Sequence, residues 1–401
     1  MARKPALLFL CHRIPYPPNK GDKIRSFHLL KHLSESYRIY LGAFIDDPYD
    51  WKYTEKLYNW CEQTCIQKLD PRQARLRSLK GFIYGQPLTL PYYFDSAIAQ
   101  WVTNITTSEQ IDHMLIYSSS MAQYILDLKF ASKNRIIDFV DVDSDKWRQY
   151  AEKKSWPMNW LYRREATCLL RFEKRVAAAL DASFFVSSHE AEHFRQLAPE
   201  SAAKIRYYSN GVDLEKFDPA LAFETPFHGG VQQIVFTGAM DYWPNEDAVI
   251  WFAQNVFPVI RQEWPEARFH IVGSRPTEKV LDLADMEGIS VTGSVTDVRP
   301  YIKYATVVVA PMHIARGIQN KVLEAMAMAK PVVVTTMGLE GINAGHRKDV
   351  LVADNAAEFV NELASLFKSG TGPALGEAAR DKVCKDFSWD TTLQKFDRWL
   401  T

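Results

Sequence analysis

Short apolar runs of strand length alternate with helix-length segments from one end of the chain to the other. "ALLFLC" (6–11), "YRIYLGAFI" (37–45), "HMLIY" (113–117), "RIIDFV" (135–140) and "ASFFVS" (182–187) read as strands, with helical patterns over 22–34, 51–62 and 93–104 between them. A loop-like stretch, "DPALAFETPFHGGVQ" (218–232), then interrupts the series with Pro219, Pro226, Gly229 and Gly230. The pattern restarts with "IVFTG" (234–238), "RFHIVG" (268–273), "ISVTG" (289–293), "TVVVAP" (306–311) and "PVVVTT" (331–336). Such alternation predicts parallel sheets covered by helices on both faces, and the restart predicts two doubly wound α/β domains in tandem. Ligands of these sheets bind outside the carboxyl ends of the strands, so two facing domains are expected to make a cleft. The last segment, "SWDTTLQKFDRWL" (388–400), reads as a helix capped by Ser388.

The length of 401 residues agrees, being too great for one ordinary core. Lys+Arg and Asp+Glu both number 48, and a net charge of zero argues against nucleic acid as the main partner. The five cysteines (11, 61, 65, 168 and 384) are a sparse, odd set, which suggests reduced thiols in a cytosol. Cys61 and Cys65 have no His or Cys cluster near them in the sequence, so no metal site is expected there. The apolar run before His12 and Arg13 reads as a buried first strand rather than a signal peptide. No stretch approaches the roughly 20 apolar residues that span a bilayer, so a soluble or membrane-surface protein is expected.

The most informative segment is "RGIQNKVLEAMAMAKPVVVTT" (316–336). Gly317 and Ile318 stand where a strand has ended and a helix starts near Gln319, and a helix start offers unpaired N–H groups to a phosphate. Glycine lets that phosphate approach the backbone. Asn320, Lys321 and Glu324 form a polar stripe on a helix whose Val322, Leu323, Ala325, Met326 and Ala329 should be buried. Ile318 to Glu324 rises about 9 Å, close to the span from a diphosphate to the ribose hydroxyls of one nucleotide. A carboxylate accepts from both hydroxyls of a vicinal diol, and a lysine neutralises phosphate. The competing reading is an i,i+3 salt bridge on a half-exposed helix.

"KVLEAMAMAKPVVVT" resembles the donor-site signature of family 4 glycosyltransferases, retaining enzymes of the GT-B fold. "SNGVDLEKF" (209–217), "IVFTGAM" (234–240), "FHIVGSRP" (269–276), "VTGSVTDVRPYI" (291–302) and the terminal "FSW" (387–389) follow in the family's order. "HRIPYPPNKGDKIRSFHLLKHL" (12–33), "FVDVDSDKWRQYA" (139–151) and "FTGAMDYWPNEDA" (236–248) resemble more narrowly the sugar transferases associated with exosortase/PEP-CTERM exopolysaccharide systems. The resemblance implies two Rossmann-like domains facing across a cleft, over 1–213 on the acceptor side and 214–386 on the donor side. It also implies a terminal helix (387–401) crossing back to the first domain.

By that resemblance Glu324 binds ribose hydroxyls and the amides near Gly317 and Ile318 hold the diphosphate, with Asn320 alongside. Gly238 lies after the first strand of the second domain, and Val295 lies in the "GSVTD" loop, where the family binds the nucleobase. Gly21 lies in the N-terminal glycine loop, and Asn210 lies where the chain re-enters the cleft. The sequence departs from the family in two places that matter for charge. Where many members carry the first of two glutamates it has Arg316, and after "IVFTG" it has Ala239 and no Lys. Lys321, Arg316 and Arg275 are expected to supply the missing positive charge. The family's N-terminal-domain histidine is also not evident, and Ser118 to Ser120 stand at about its place. Asp141 and His12 are the rival candidates for orienting the sugar or taking the acceptor's proton, and the alternative for Asp138 and Asp141 is helix capping. The implied mechanism needs no protein nucleophile, no metal and no cofactor beyond the nucleotide-diphosphate sugar as co-substrate.

"SHEAEHF" (188–194) matches H-E-x-x-H, a zinc-protease pattern, but it sits at a helix start with Ser188 as expected cap and no third ligand in view. Residues 71–94 and 151–175 interleave cations with aromatics. That suits an anionic membrane surface or, nearly as well, ordinary solvated helix faces. The reading is a cytoplasmic glycosyltransferase of the hexosyltransferase type, able to sit on the inner face of the membrane. It moves a sugar to a glycan or polyprenyl-linked acceptor in exopolysaccharide assembly. A non-catalytic nucleotide-sugar-binding protein and a GT-B-like sugar-nucleotide epimerase are the alternatives.

Overall fold

A computed structural model describes residues 3–128, 134–229, 231–314 and 317–400. The chain divides into two compact units, Met1–Ser209 with Leu393–Thr401, and Asn210–Thr392.

In unit 1, β1 (Ala6–Cys11), β2 (Arg38–Ile45), β3 (Cys61–Lys68), β4 (Ile111–Tyr117), β5 (Asn134–Val140), β6 (Ala182–Phe185) and β7 (Ile205–Tyr207) form one sheet. Its order is β3-β2-β1-β4-β5-β6-β7, with every pairing parallel. In unit 2, β8 (Gln233–Thr237), β9 (Arg268–Val272), β10 (Ile289–Val291), β11 (Val307–Ala310), β12 (Val332–Val334) and β13 (Leu351–Val352) follow the order β10-β9-β8-β11-β12-β13, again all parallel. β1, β11 and β12 are uninterrupted apolar runs, as expected of strands whose two faces are both covered.

Each sheet reverses its strand order once, between β1 and β4 in unit 1 and between β8 and β11 in unit 2. The carboxyl ends of those strands flank the crevice where doubly wound sheets bind ligands. That places His12 and Ser118 at one crevice, and Gly238 and the loop after Ala310 at the other.

Three strands escape the sequence pattern. β3 is a partly exposed edge strand with polar residues, β7 has three residues, and β13 has two. The expected helix over 51–62 is instead a 3-10 segment, Pro48–Asn59, capped by Asp47 and followed directly by β3. Ser388 does cap the last helix, Trp389–Asp397, accepting from the Thr391 amide at 3.1 Å. Helix Ser188–Leu197 is capped by Ser187, one residue earlier than expected, because Ser187 keeps extended backbone while Ser188 is already helical.

Candidate functional site

In unit 2 the helix Asn320–Ala327 starts behind Gly317, whose φ of +65° is the left-handed turn that glycine adopts freely. Gln319 stands at the N-cap without a side-chain cap, so its side chain does not close off the first-turn amides. Asn320 accepts from the Asn210 amide at 3.4 Å, so two residues 110 positions apart meet at the helix start. Ile318 is buried, with its side chain against Gly341. Ala329, expected on the buried face, lies beyond the helix end and is only half-buried, with a φ of +53°. Arg316 lies outside the described residues.

Lys321 does not point along a surface stripe. Its side chain turns inward and is 9% exposed. The ammonium donates to Asn245 Oδ1 at 2.5 Å, lies 3.7 Å from Met312 Sδ, and sits 4.4 Å from the centre of the Phe236 ring. Phe236 belongs to β8 and Met312 follows β11, so the amine occupies the point where the strand order reverses. Asn245 donates its own amide to the Ala239 carbonyl at 2.9 Å. Gly238 leaves room for that amide, since a Cβ there would lie 2.6 Å from Asn245 Nδ2.

Glu324 behaves differently. No described residue donates a hydrogen bond to its carboxylate, and no ion pair joins it to Lys321 within 4 Å, so the salt-bridge reading of the pair fails. Loss of solvation pushes the carboxyl up to about 7, against the pull of Lys216 and Lys321. Loss of solvation likewise brings Lys321 down to about 7, opposed by Glu324. Among the described residues Glu324 is thus a half-buried acceptor without a donor, three residues from a buried amine.

The remaining expected residues of unit 2 are spread around this point. Arg275, at φ +53°, pairs with Asp241 at 3.1 Å and is largely exposed. Val295 packs partly against the core, and two residues on Asp297 and Arg299 form a forked pair with contacts of 2.6 to 2.9 Å. Asn245, Met312 and Lys216 were missed from sequence. Nothing in local spacing links Asn245 to Lys321, which is 76 residues away.

In unit 1, His12 follows β1, stacked on Tyr117 at 5.9 Å and edge-on to Tyr93 at 5.8 Å. Its Nε2 is 3.5 Å from Asp22 Oδ2, and its buried Nδ1 has no partner among the described residues. Burial alone would raise the Asp22 carboxyl, but His12 and Arg13 hold it far below the usual carboxylate range. Arg13 reaches Asp22 at 2.5 Å and Asp46 at 2.6 Å. Gly21 opens the helix Gly21–Ser36, and among the described residues nothing lies within 4 Å of where a Cβ would stand.

Asp141 is tied to Lys146 at 2.6 Å, which occupies the carboxylate. Just before it, Val140 is held at φ +70°, a left-handed conformation that is rare for a β-branched residue. The Val140 carbonyl accepts from Val186 N at 2.7 Å, and its amide donates to Asp138 at 3.1 Å, so the neighbours fix the strain in place. Asp138 is fully buried and also receives Arg25 Nε at 2.8 Å and the Tyr208 hydroxyl, so it serves as a structural hub.

The H-E-x-x-H residues do not converge on a metal. Glu190 is buried and accepts from Val142 N, His193 faces Asp145 at 3.7 Å, and His189 is exposed. Among the described residues no group of three or more His, Cys, Asp or Glu is placed to hold a metal ion. Nor is any described helix long and apolar enough to cross a membrane.

The two reversing parallel sheets are the fold of GT-B glycosyltransferases, with two Rossmann-like domains. Residues 231–369, which contain Asn245, Lys321 and Glu324, match the family model for glycosyl transferases group 1. Among solved structures, sucrose-phosphate synthase from Thermosynechococcus elongatus superposes with a TM-score of 0.69 at 16% identity, covering 99% of this chain and 98% of that one. Anabaena Alr3699/HepE in complex with UDP gives 0.68 at 14% identity, covering 98% and 99%. A glycosyltransferase from Rickettsia africae gives 0.64 at 14% identity, covering 100% and 98%. In sequence, the chain is 24% identical over 147 residues to an uncharacterized 44.6 kDa protein in the cps region of Klebsiella pneumoniae. That match spans 35% of this chain and 38% of the relative.

Proposed function

We propose that this chain is a glycosyltransferase that moves a sugar from a nucleotide-diphosphate sugar to a glycan or polyprenyl-linked acceptor with retention of configuration, in exopolysaccharide assembly at the cytoplasmic face of the membrane. The observation that carries the reading is the Glu324 carboxylate, which lacks a donor among the described residues and lies one helical turn from the buried Lys321 at the strand-order reversal of unit 2. Glu324 accepts the ribose hydroxyls. Lys321 and the amides from Gly317 to Asn320 neutralise the diphosphate, as a helix N-terminus favours. Arg275 and Arg316 add charge nearby, Val295 and its loop border the base, and Gly238 and Asn210 shape the floor.

In the reaction the bond from the anomeric carbon to the diphosphate oxygen breaks, and a bond to the acceptor oxygen forms on the same sugar face. No covalent enzyme intermediate is needed, and catalysis rests on positioning and on charge stabilisation at the leaving diphosphate. Of the two acceptor-side candidates His12 is favoured, because Lys146 occupies Asp141 while His12 keeps a ring nitrogen without a partner among the described residues. One relative in fold, Anabaena Alr3699/HepE, is described in complex with UDP, with UDP and glucose, and with UDP-glucose, which favours a uridine nucleotide for this chain as well. The cps-region relative favours a polysaccharide product.

The test is incubation with a panel of nucleotide sugars and a lipid-linked glycan acceptor. Acceptor-dependent release of nucleotide supports transfer. An isomerised donor overturns it in favour of an epimerase, and binding without turnover overturns it in favour of a non-catalytic module.

A further inference from the structure

Two basic, aromatic stretches far apart in sequence meet on the surface of unit 1. The helices Pro71–Ser78 and Lys80–Ile83 run nearly continuously through Leu79, which keeps helical backbone. Leu76, Leu79 and Ile83 therefore share one face. The Phe82 ring stacks on Trp160 of the helix Met158–Ala179, with centroids 6.2 Å apart and planes 4° apart. Arg164 lies 4.6 Å over the same Phe82 ring and donates to the Gly81 and Gln86 carbonyls. Below it, the buried Glu165 accepts from Leu88 N, Thr89 N and the Thr89 hydroxyl. The segment is thus pinned from within, yet its apolar side chains are held out to water. Ile83 and Trp156 are each 79% exposed, Tyr84 70% and Trp160 55%.

A contiguous exposed apolar patch of this kind marks an interaction surface. Its charges say of what kind. Arg72, Arg75, Lys80, Lys153, Lys154 and Arg163 are all exposed around it, and neither 71–94 nor 153–164 contains one Asp or Glu. We infer that this ridge is a docking surface for an anionic lipid bilayer, with Ile83 and Trp156 entering the headgroup boundary and the surrounding cations facing lipid phosphates. Apolar and aromatic side chains ringed by cations of one sign fit that boundary, where Trp and Tyr concentrate and each cation is drawn to the anionic surface. The surface stands on unit 1 alone. Only its consequence, that it brings the enzyme to a lipid-linked acceptor, rests on the transfer reading.

The experiment is flotation of the full chain with phosphatidylcholine vesicles, with and without about 30 mol % phosphatidylglycerol. The intact chain should float with the anionic vesicles at low salt, and binding should weaken as salt rises. Ile83→Ser with Trp156→Ser should lower the partition coefficient about tenfold, and so should Arg72→Gln with Arg75→Gln and Lys80→Gln, both without a change in melting temperature. Absence of flotation at low salt overturns the inference, as does equal binding to both vesicles or wild-type binding by both variants. A wild-type dimer in vesicle-free solution that the Ile83/Trp156 variant abolishes overturns it too, assigning the ridge to a second copy. UDP binding measured on the same samples separates the two readings, since lost flotation with intact nucleotide binding removes the bilayer surface and leaves the donor site standing.

Discussion

The Lys321 ammonium donates to Asn245 Oδ1 at 2.5 Å, and the Asn245 amide in turn donates to the Ala239 carbonyl at 2.9 Å. One buried asparagine thereby fixes an amine from the helix Asn320–Ala327 to the loop that follows β8. The loop carries no lysine of its own, and this link brings a cation to it from another part of unit 2. Asn245→Ala should therefore weaken binding of a nucleotide diphosphate about tenfold, the worth of one hydrogen bond that orients a charge, and leave the fold intact. Titration calorimetry with UDP measures this, and an unchanged dissociation constant would count against the role given to Lys321.

Glu324 and Lys321 make opposite contributions to stability as pH changes. The folded chain holds Glu324 up at about 7 against an ordinary value of 4.5, so between those pH values it keeps a proton that the unfolded chain has shed. That stability is full below pH 4.5 and is lost as pH rises through about 7. Lys321 is brought down to about 7 from 10.5, so its contribution runs the other way and stability is recovered between those values. Glu324→Gln removes the first slope. Its stability relative to wild type should rise by roughly 2 kcal/mol between pH 5 and 7 without ligand, read from denaturant unfolding at each pH. Parallel wild-type and variant profiles would show that the carboxyl is not desolvated.

The Arg25–Asp138 pair, with Tyr208 as third member, is fully buried in unit 1. Removing one partner strands the other charge, so Arg25→Met should cost about 3–5 kcal/mol. Thermal unfolding of the full chain should show the loss, whereas nucleotide binding by unit 2 should persist below the new transition.

His12 and Asp141 separate by their partners. With Lys146 already holding Asp141, Asp141→Asn should change turnover by less than about threefold. His12→Gln should lower it by about a hundredfold, within the range of general acid–base effects. Neither should alter the UDP dissociation constant. A larger loss in the Asp141 variant would reverse the assignment.

Much of this architecture was readable in the sequence because the central strands, such as "ALLFLC" and "TVVVAP", are apolar on both faces and bounded by glycine, proline or polar residues. β3 was not, since an edge strand half in solvent tolerates Glu62, Gln63 and Thr64 and loses the apolar signature. The turn at Gly317 and the place of Glu324 on the following helix were legible because helix starts and helical spacing are local properties. The inward turn of Lys321 was not, because it depends on Asn245, Met312 and Phe236, which only the folded sheet brings together. Periodicity placed Lys321 beside Glu324 on a polar stripe, while in the fold it leaves the stripe to donate to Asn245.

The central claim is that Glu324 receives the hydroxyls of a sugar nucleotide. Calorimetric titration of the wild-type chain and Glu324→Ala with UDP, and with a UDP analogue lacking both ribose hydroxyls, tests it most directly. Wild type should bind UDP at least about tenfold more tightly than the analogue, as expected for hydrogen bonds to a charged acceptor, and Glu324→Ala should bind the two equally. If the variant discriminates between them as well as wild type does, Glu324 is not the ribose acceptor and the functional reading built on it is wrong.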